Sequence, residues 1–135
     1  MTTRFLLDTH IWIWSLEDPR KLNKKVFAAL SNPKSELWLS PMSVWEFLLL
    51  AERGRLKLHG GTTAHQWVDE AFSKAPIQEA PLTREVSLAS RQLPFVHDDP
   101  ADRFIGATAA VYDLTLVTSD ERLLAAKGFR KLANC

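Results

Sequence analysis

The chain has 135 residues, 46% hydrophobic and 24% charged, and 17 Lys and Arg against 16 Asp and Glu leave a formal charge of +1. That is the size and balance of a single globular domain over residues 1–135 with one sizeable core, and it excludes a global basic field, so any nucleic-acid binding has to use local patches. A single cysteine, Cys135, excludes an internal disulfide and a thiolate metal site; with no charged leader and no apolar run near the roughly 18 residues that span a bilayer, the expectation is a soluble cytoplasmic protein without membrane contact.

Phe5-Leu6-Leu7 is a short apolar run ending at Asp8-Thr9, which suits a strand buried on both faces of a parallel sheet with Asp8 at its carboxyl end. A short helix from His10 to Leu16 follows and stops at Asp18-Pro19. Asn23 is placed to cap a helix from Lys24 to Leu30 with Val26, Phe27 and Leu30 inward, and Asn32-Pro33 ends it. Glu36 to Leu39 reads as a second strand, and Ser40-Pro41 opens a longer helix that Gly54 terminates. After the Gly60-Gly61 loop, Ala64 to Lys74 is amphipathic with Trp67, Val68, Ala71 and Phe72 inward. A brief extended piece near Ile77 to Ala80 precedes a helix from Arg84 to Leu93, whose apolar stripe is Val86, Ala89 and Leu93. Asp99-Pro100 caps and starts a helix through Ala110, Thr115 to Thr118 is a clear buried strand, and Ser119 or Asp120 caps a short helix closed by Gly128. Arg130 to Ala133 reads as an edge strand. Strands alternating with helices imply an α/β fold, a three-layer α/β/α sandwich around a mostly parallel sheet.

The informative feature is acid where core is expected. On a 3.6-residue period Asp102 shares its face with Ile105, Gly106, Ala109 and Ala110, and Glu46 lies among Met42, Leu49 and Leu50. Asp8 and Asp120 each follow a strand, at the edge where open parallel sheets bind ligands. Each acid alone has a structural reading: Asp8 and Asp120 as helix caps, Asp102 as a first-turn acid, Glu46 in an ion pair with Arg53 or Arg103. Together they suggest a cluster, in which each like-charge pair within about 4 Å costs on the order of 4 kcal/mol at an effective dielectric near 20. Protonation or a cation must relieve that repulsion. Oxygen-only ligands favour a hard divalent ion, Mg²⁺ or Mn²⁺ over Zn²⁺, which makes metal-assisted phosphodiester hydrolysis the leading chemistry. His10, His59, His65 and His97 show no paired metal spacing, and neither a Ser nucleophile elbow nor a Gly-rich phosphate loop is present. Trp12, Trp14, Trp38, Trp45 and Trp67 read as core or subunit-interface residues, with Trp45 also placed to stack a base beside Glu46.

With Asp8-Thr9-His10, Ser43-Val44-Trp45-Glu46, His97 to Arg103 and Thr118-Ser119-Asp120 together, the chain resembles PIN-domain proteins of the VapC type, the ribonuclease toxins of type II toxin-antitoxin pairs. The resemblance runs over nearly the whole chain. It implies a Mg²⁺- or Mn²⁺-dependent endoribonuclease with Asp8, Glu46, Asp102 and Asp120 as its acids. Asp8 and Asp102 would be direct metal ligands, Glu46 and Asp120 would bind directly or through water, and Thr9, Ser43 and Ser119 would be supporting hydroxyls. A homodimer and a small antitoxin partner are also implied, and Ala101 stands where relatives often carry an aromatic residue. An RNA track would draw on Lys21, Lys24, Lys25, Arg53, Arg55 and Arg103. Two other readings share the fold class: a receiver-like Mg²⁺-binding phosphoacceptor domain and a catalytically silent interaction module.

Overall fold

Two short apolar runs, Arg4–Leu7 (β1) and Thr115–Thr118 (β4), lie side by side in parallel at the centre of the sheet, with Leu6 opposite Leu116 and Leu7 opposite Val117. The computed structural model describes residues 2–95 and 98–135; His97, the end of the loop before it and the side chain of His59 lie outside what is described. Glu36–Leu39 (β2) pairs with the other edge of β1, Gln78–Glu79 (β3) with β2, and Arg130–Ala133 (β5) with β4. All pairings among the described residues are parallel, in the order β3-β2-β1-β4-β5. The extended piece expected over 77–80 is shorter than anticipated, and the edge strand at Arg130 is present.

The helices fall where capping signals put them: Thr9–Glu17 (α1), Lys24–Ser31 (α2), Pro41–Glu52 (α3), Ala64–Lys74 (α4), Arg84–Gln92 (α5), Pro100–Val111 (α6) and Glu121–Ala125 (α7). Asn23 Oδ1 accepts from the Val26 N–H at 2.7 Å and Ser40 Oγ from that of Met42 at 3.1 Å, so both α2 and α3 start on a satisfied donor. Gly54, at φ +68°, ends α3 in the left-handed conformation that a side chain disfavours.

Alternation along the central strands sends side chains into two cores, one on each face. Phe5, Leu7 and Val117 pack with Ile11, Trp12, Val26, Phe47 and Trp67 beneath α1 to α4, while Leu6 and Leu116 pack with Ile105, Ala109 and Leu123 of α6 and α7. In the first core the Phe47 and Trp67 rings stack at 4.3 Å between centroids and Trp12 meets Trp67 edge-on at 5.1 Å.

Two expectations need correction. Phe27 and Phe72, assigned inward, are 51% and 37% exposed. Val26 is enclosed, with Ala29 and Leu30 partly buried against the same core, which leaves Phe27, 100° round the helix from Val26, in solvent; the Phe72 ring rests against Trp12 from the rim, 5.9 Å between centroids. Of the tryptophans, Trp12 and Trp67 are core as expected, and Trp45 is 52% exposed. Finally, the receiver-like reading is overturned by the strand order. A flavodoxin- or receiver-like sheet runs 2-1-3-4-5 and flanks its first strand with the second and third; here β1 lies between β2 and β4.

The correction on α2 is checkable by urea denaturation. Val26→Ala should cost about 1–3 kcal/mol, because its methyls are fully enclosed. Phe27→Ala should stay within about 0.5 kcal/mol of the parent.

Candidate functional site

The chain leaves β1 going one way across the sheet, to β2 and β3, then returns past β1 to β4 and β5, so the reversal of strand order falls between β1 and β4. At such a reversal the connections depart to opposite faces and leave a crevice beyond the carboxyl ends of the strands. Asp8 follows β1 directly and Asp120 follows β4 by two residues. The ladder runs one step further, since the Asp8 N–H donates to the Val117 carbonyl at 3.0 Å. Asp8 and the turn after β4 are thereby fixed against each other by backbone.

Both oxygens of Asp8 are engaged. Oδ1 accepts the Thr9 N–H at 2.8 Å, capping α1, and Oδ2 accepts the Thr118 hydroxyl at 2.6 Å. The Thr118 oxygen in turn accepts the Asp120 N–H at 3.0 Å, which ties the two acids through one hydroxyl. Burial pushes the Asp8 carboxyl above its ordinary value; the bonds from Thr118 and Thr9 and the charge of His10 pull it down, and the charge of Asp120 pushes it up again.

Glu46 lies in the middle of α3 and its Oε1 accepts the Thr9 hydroxyl at 2.7 Å. That bond, not an ion pair with Arg53 or Arg103, is what Glu46 makes. Burial raises its pKa from 4.5 to about 7; the Thr9 bond opposes the rise, while the charges of Asp8, Asp102 and Asp99 add to it. The electrostatic field at Glu46 therefore comes from the cap of α1, from α6 and from the cap of α6. The four expected acids and one further acid, Asp99, gather at one edge.

Asp102 is buried in the first turn of α6, and Asp99 caps that helix, its Oδ1 accepting the Ala101 N–H at 3.0 Å. Arg122, in the first turn of α7, reaches Asp102 Oδ2 at 3.5 Å and Asp99 Oδ2 at 3.9 Å through Nη2, and Asp120 Oδ1 at 3.8 Å through Nε. Arg122 and Asp99 are two charged site residues that the sequence reading missed. Both have a sequence signal: an acid that caps a helix at the ligand edge also faces the ligand, and a residue two places after such a cap sits beside it.

The remaining expected residues divide. Thr9 is buried and holds Glu46, as its place beside Asp8 suggested. Ser43 is fully buried one turn before Glu46 on the same helix, and its Oγ has no hydrogen-bond partner among the described residues. Thr118, not Ser119, supplies the hydroxyl that reaches Asp8. Arg103 does not belong to an RNA surface: it is buried, donating through Nε to the Ser90 carbonyl at 2.9 Å, with its guanidinium 5.0 Å over the Phe95 ring and 3.7 Å from Asp98. Arg53 caps the far end of α3, about 10 Å along the axis from Glu46. Lys24 and Lys25 are exposed at the start of α2. Asn134, just after β5, bonds the Asn23 N–H at 2.7 Å and the Lys21 carbonyl at 3.1 Å, so these lysines stand at the same carboxyl edge as the acids.

As a set, the acids suit a hard divalent cation by donor chemistry: every donor is an oxygen, burial has raised two of the carboxyls, and an unpaired buried hydroxyl stands one turn from Glu46. Among the described residues no three of them stand close enough to grip one ion as they are placed; Arg122 lies among Asp99, Asp102 and Asp120.

A family model described as the PIN domain matches residues 5–129. The chain is 31% identical over 122 residues, 90% of either chain, to "Ribonuclease VapC22" of Mycobacterium tuberculosis. Its fold is similar to DNA-bound VapBC from Salmonella typhimurium (TM-score 0.67, 17% identity, 98% of this chain and 99% of that one). It is also similar to a toxin-antitoxin complex from Klebsiella pneumoniae (TM-score 0.64, 19% identity, 96% and 97%).

The raised pKa of Glu46 carries a pH signature. A carboxyl whose folded pKa exceeds its unfolded value favours folding only while it is protonated, so this site withdraws stability as pH rises from about 4.5 to about 7. Without divalent ions, Glu46→Gln should therefore match the parent near pH 4.5 and exceed it at pH 8 by about 1–2 kcal/mol in urea denaturation, after discounting for solvent screening.

Proposed function

Since the chain belongs to the PIN-domain family, we propose that it is a divalent-metal-dependent endoribonuclease and the toxin of a type II toxin-antitoxin pair. The observation that carries this reading is the convergence of Asp8, Glu46, Asp102 and Asp120, from four separate elements, on the crevice between β1 and β4. Similarity to a VapC ribonuclease supports RNA as substrate, and similarity to a chain of a toxin-antitoxin complex supports a small antitoxin as partner. The silent-module reading leaves unexplained why the fold keeps mutually repelling acids that destabilise it.

In this reading Asp8 and Asp102 hold the ion, Mg²⁺ or Mn²⁺, and Glu46 and Asp120 complete the set directly or through water. When bound, the ion supplies charge relief among the acids and Lewis acidity toward a phosphodiester. The chain does the positioning. Thr118 and the α1 N-terminus fix both Asp8 oxygens, and Thr9 fixes one oxygen of Glu46. Glu46 Oε2, the oxygen that Thr9 does not hold, is the atom that takes a proton from the attacking water. Ser43 Oγ offers a hydrogen bond to a water beside the acids. Lys21, Lys24 and Lys25 furnish backbone contacts for the RNA on the α2 side of the crevice.

Two features extend the reading to assembly. No helix among the described residues is long and apolar enough to cross a membrane. Leu82, just before α5, and Leu88, within it, are 39% and 58% exposed and offer apolar surface to a second copy of the chain, in keeping with a homodimer.

Purified protein incubated with RNA and Mn²⁺ or Mg²⁺ should cut it internally, and EDTA should stop the reaction. Asp8→Asn and Asp102→Asn should each lower the cleavage rate by at least about 100-fold with circular dichroism unchanged. Undiminished cleavage by Asp102→Asn, or in EDTA, overturns the proposal.

A further inference from the structure

Arg122 brings one positive charge to three carboxylates and holds none of them tightly. Its contacts to Asp102, Asp120 and Asp99 are 3.5, 3.8 and 3.9 Å, all beyond the 2.7–2.9 Å of a charge-assisted hydrogen bond. The side chain is 53% exposed. The fixed link to this cluster is made by its backbone instead, whose N–H donates to Asp120 Oδ1 at 2.8 Å. The guanidinium is thus tethered at the acids by the cap of α7 while its own head group is free to exchange.

Its neighbours are not equivalent. Arg103, adjacent to Asp102 in sequence, is turned into the protein against Ser90 and Phe95. Lys21 lies over the Trp14 ring at 5.5 Å. Among the described residues Arg122 is the arginine that touches the acids of the site. A planar fork of N–H donors on a mobile stem is the side chain best matched to a phosphodiester.

We propose that Arg122 is a substrate-phosphate ligand held in reserve: it partly neutralises Asp99, Asp102 and Asp120 in the metal-free protein, and turns to an RNA phosphate once a divalent cation takes its place among them. This rests on the reading of the site as a metal-dependent ribonuclease. One residue thereby has opposite effects on the two ligands. It competes with the metal for the same carboxylates, and it attracts the RNA. A residue that merely supports the fold would weaken both when removed.

The test uses the full chain and its Arg122→Ala and Arg122→Lys variants, with folding followed by circular dichroism. Titration calorimetry with Mn²⁺ alone should show Arg122→Ala binding the ion about 3- to 10-fold more tightly than the parent, with Arg122→Lys closer to the parent. Fluorescence anisotropy with a labelled single-stranded RNA of about 20 nucleotides, in Ca²⁺, should show Arg122→Ala binding more weakly. Its slope of log affinity against log salt should be shallower by about 0.7, the loss of one phosphate contact, with the slope kept in Arg122→Lys. Unchanged or weaker Mn²⁺ binding in Arg122→Ala overturns the proposal, and so does an unchanged salt slope. Should Arg122→Ala fail to fold, Arg122→Gln, which keeps the stem and loses the charge, decides by the same readings: tighter Mn²⁺ binding together with a slope shallower by about 0.7 supports the proposal, and either one unchanged overturns it. A parent that binds Mn²⁺ and cuts RNA while Arg122→Ala behaves identically sinks this inference alone; a parent that neither binds Mn²⁺ nor cuts RNA sinks the ribonuclease reading with it.

Discussion

The pairing of β1 with β4 is the constraint on which the rest of this molecule depends. Their parallel register, carried one step further by the Asp8 N–H on the Val117 carbonyl, forces Asp8 and the Thr118-to-Asp120 turn to end side by side. Two acids far apart in sequence become neighbours through backbone hydrogen bonds that neither side chain influences. The cost is repulsion in a partly buried place, and the chain meets it in three ways. Burial keeps Glu46 protonated to about neutral pH, the Thr9 and Thr118 hydroxyls donate into Glu46 and Asp8, and Arg122 lies against the acids of α6 and α7. None of these removes the excess negative charge.

The acids were legible in the sequence because each breaks a local rule. Asp102 and Glu46 sit on helical faces otherwise made of core residues, and Asp8 and Asp120 interrupt the chain where strands pass into helices. Strand order was not legible, since which parallel strands pair is decided by long-range packing and several orders fit the same alternation of elements. Arg103 was misassigned for a related reason. A charged residue in a helix is ordinarily assigned to its solvent face, but α6 has almost none: from Ala101 to Ala109 every residue except Phe104 is buried. The small residues around that helix, Ala101, Gly106, Ala107 and Ala109, were the available signal, since a helix lined with them on all sides is one that neighbours approach closely. A Cβ at Gly106 would stand 2.5 Å from the Phe95 ring.

Thr118 and Phe27 show the resolution limit of pattern reading. In the motif Thr118-Ser119-Asp120 either hydroxyl has the right chemistry for Asp8. Only the backbone bonds at the strand end decide which is presented, and they select Thr118, whose oxygen also receives the Asp120 N–H. In α2 the apolar pair Val26-Phe27 fits the same stripe equally well, and a rotation of about 100° per residue separates a buried valine from an exposed phenylalanine.

Capping and chemistry share atoms in this site. Asp8 spends Oδ1 on the α1 N–H of Thr9 and directs Oδ2 to Thr118, and Asp99 spends Oδ1 on α6 and directs Oδ2 toward Arg122. Asp120 caps α7 through Oδ1, leaving Oδ2 outside the cap. Helix N-termini bring partial positive charge to the edge where these acids repel one another, so each cap offsets part of the repulsion its own carboxylate creates. An asparagine retains a capping oxygen of similar strength and lacks the charge. The negative charge at the caps of α1, α6 and α7 is therefore more than these helices need, and under the proposed function it serves a cation in the crevice.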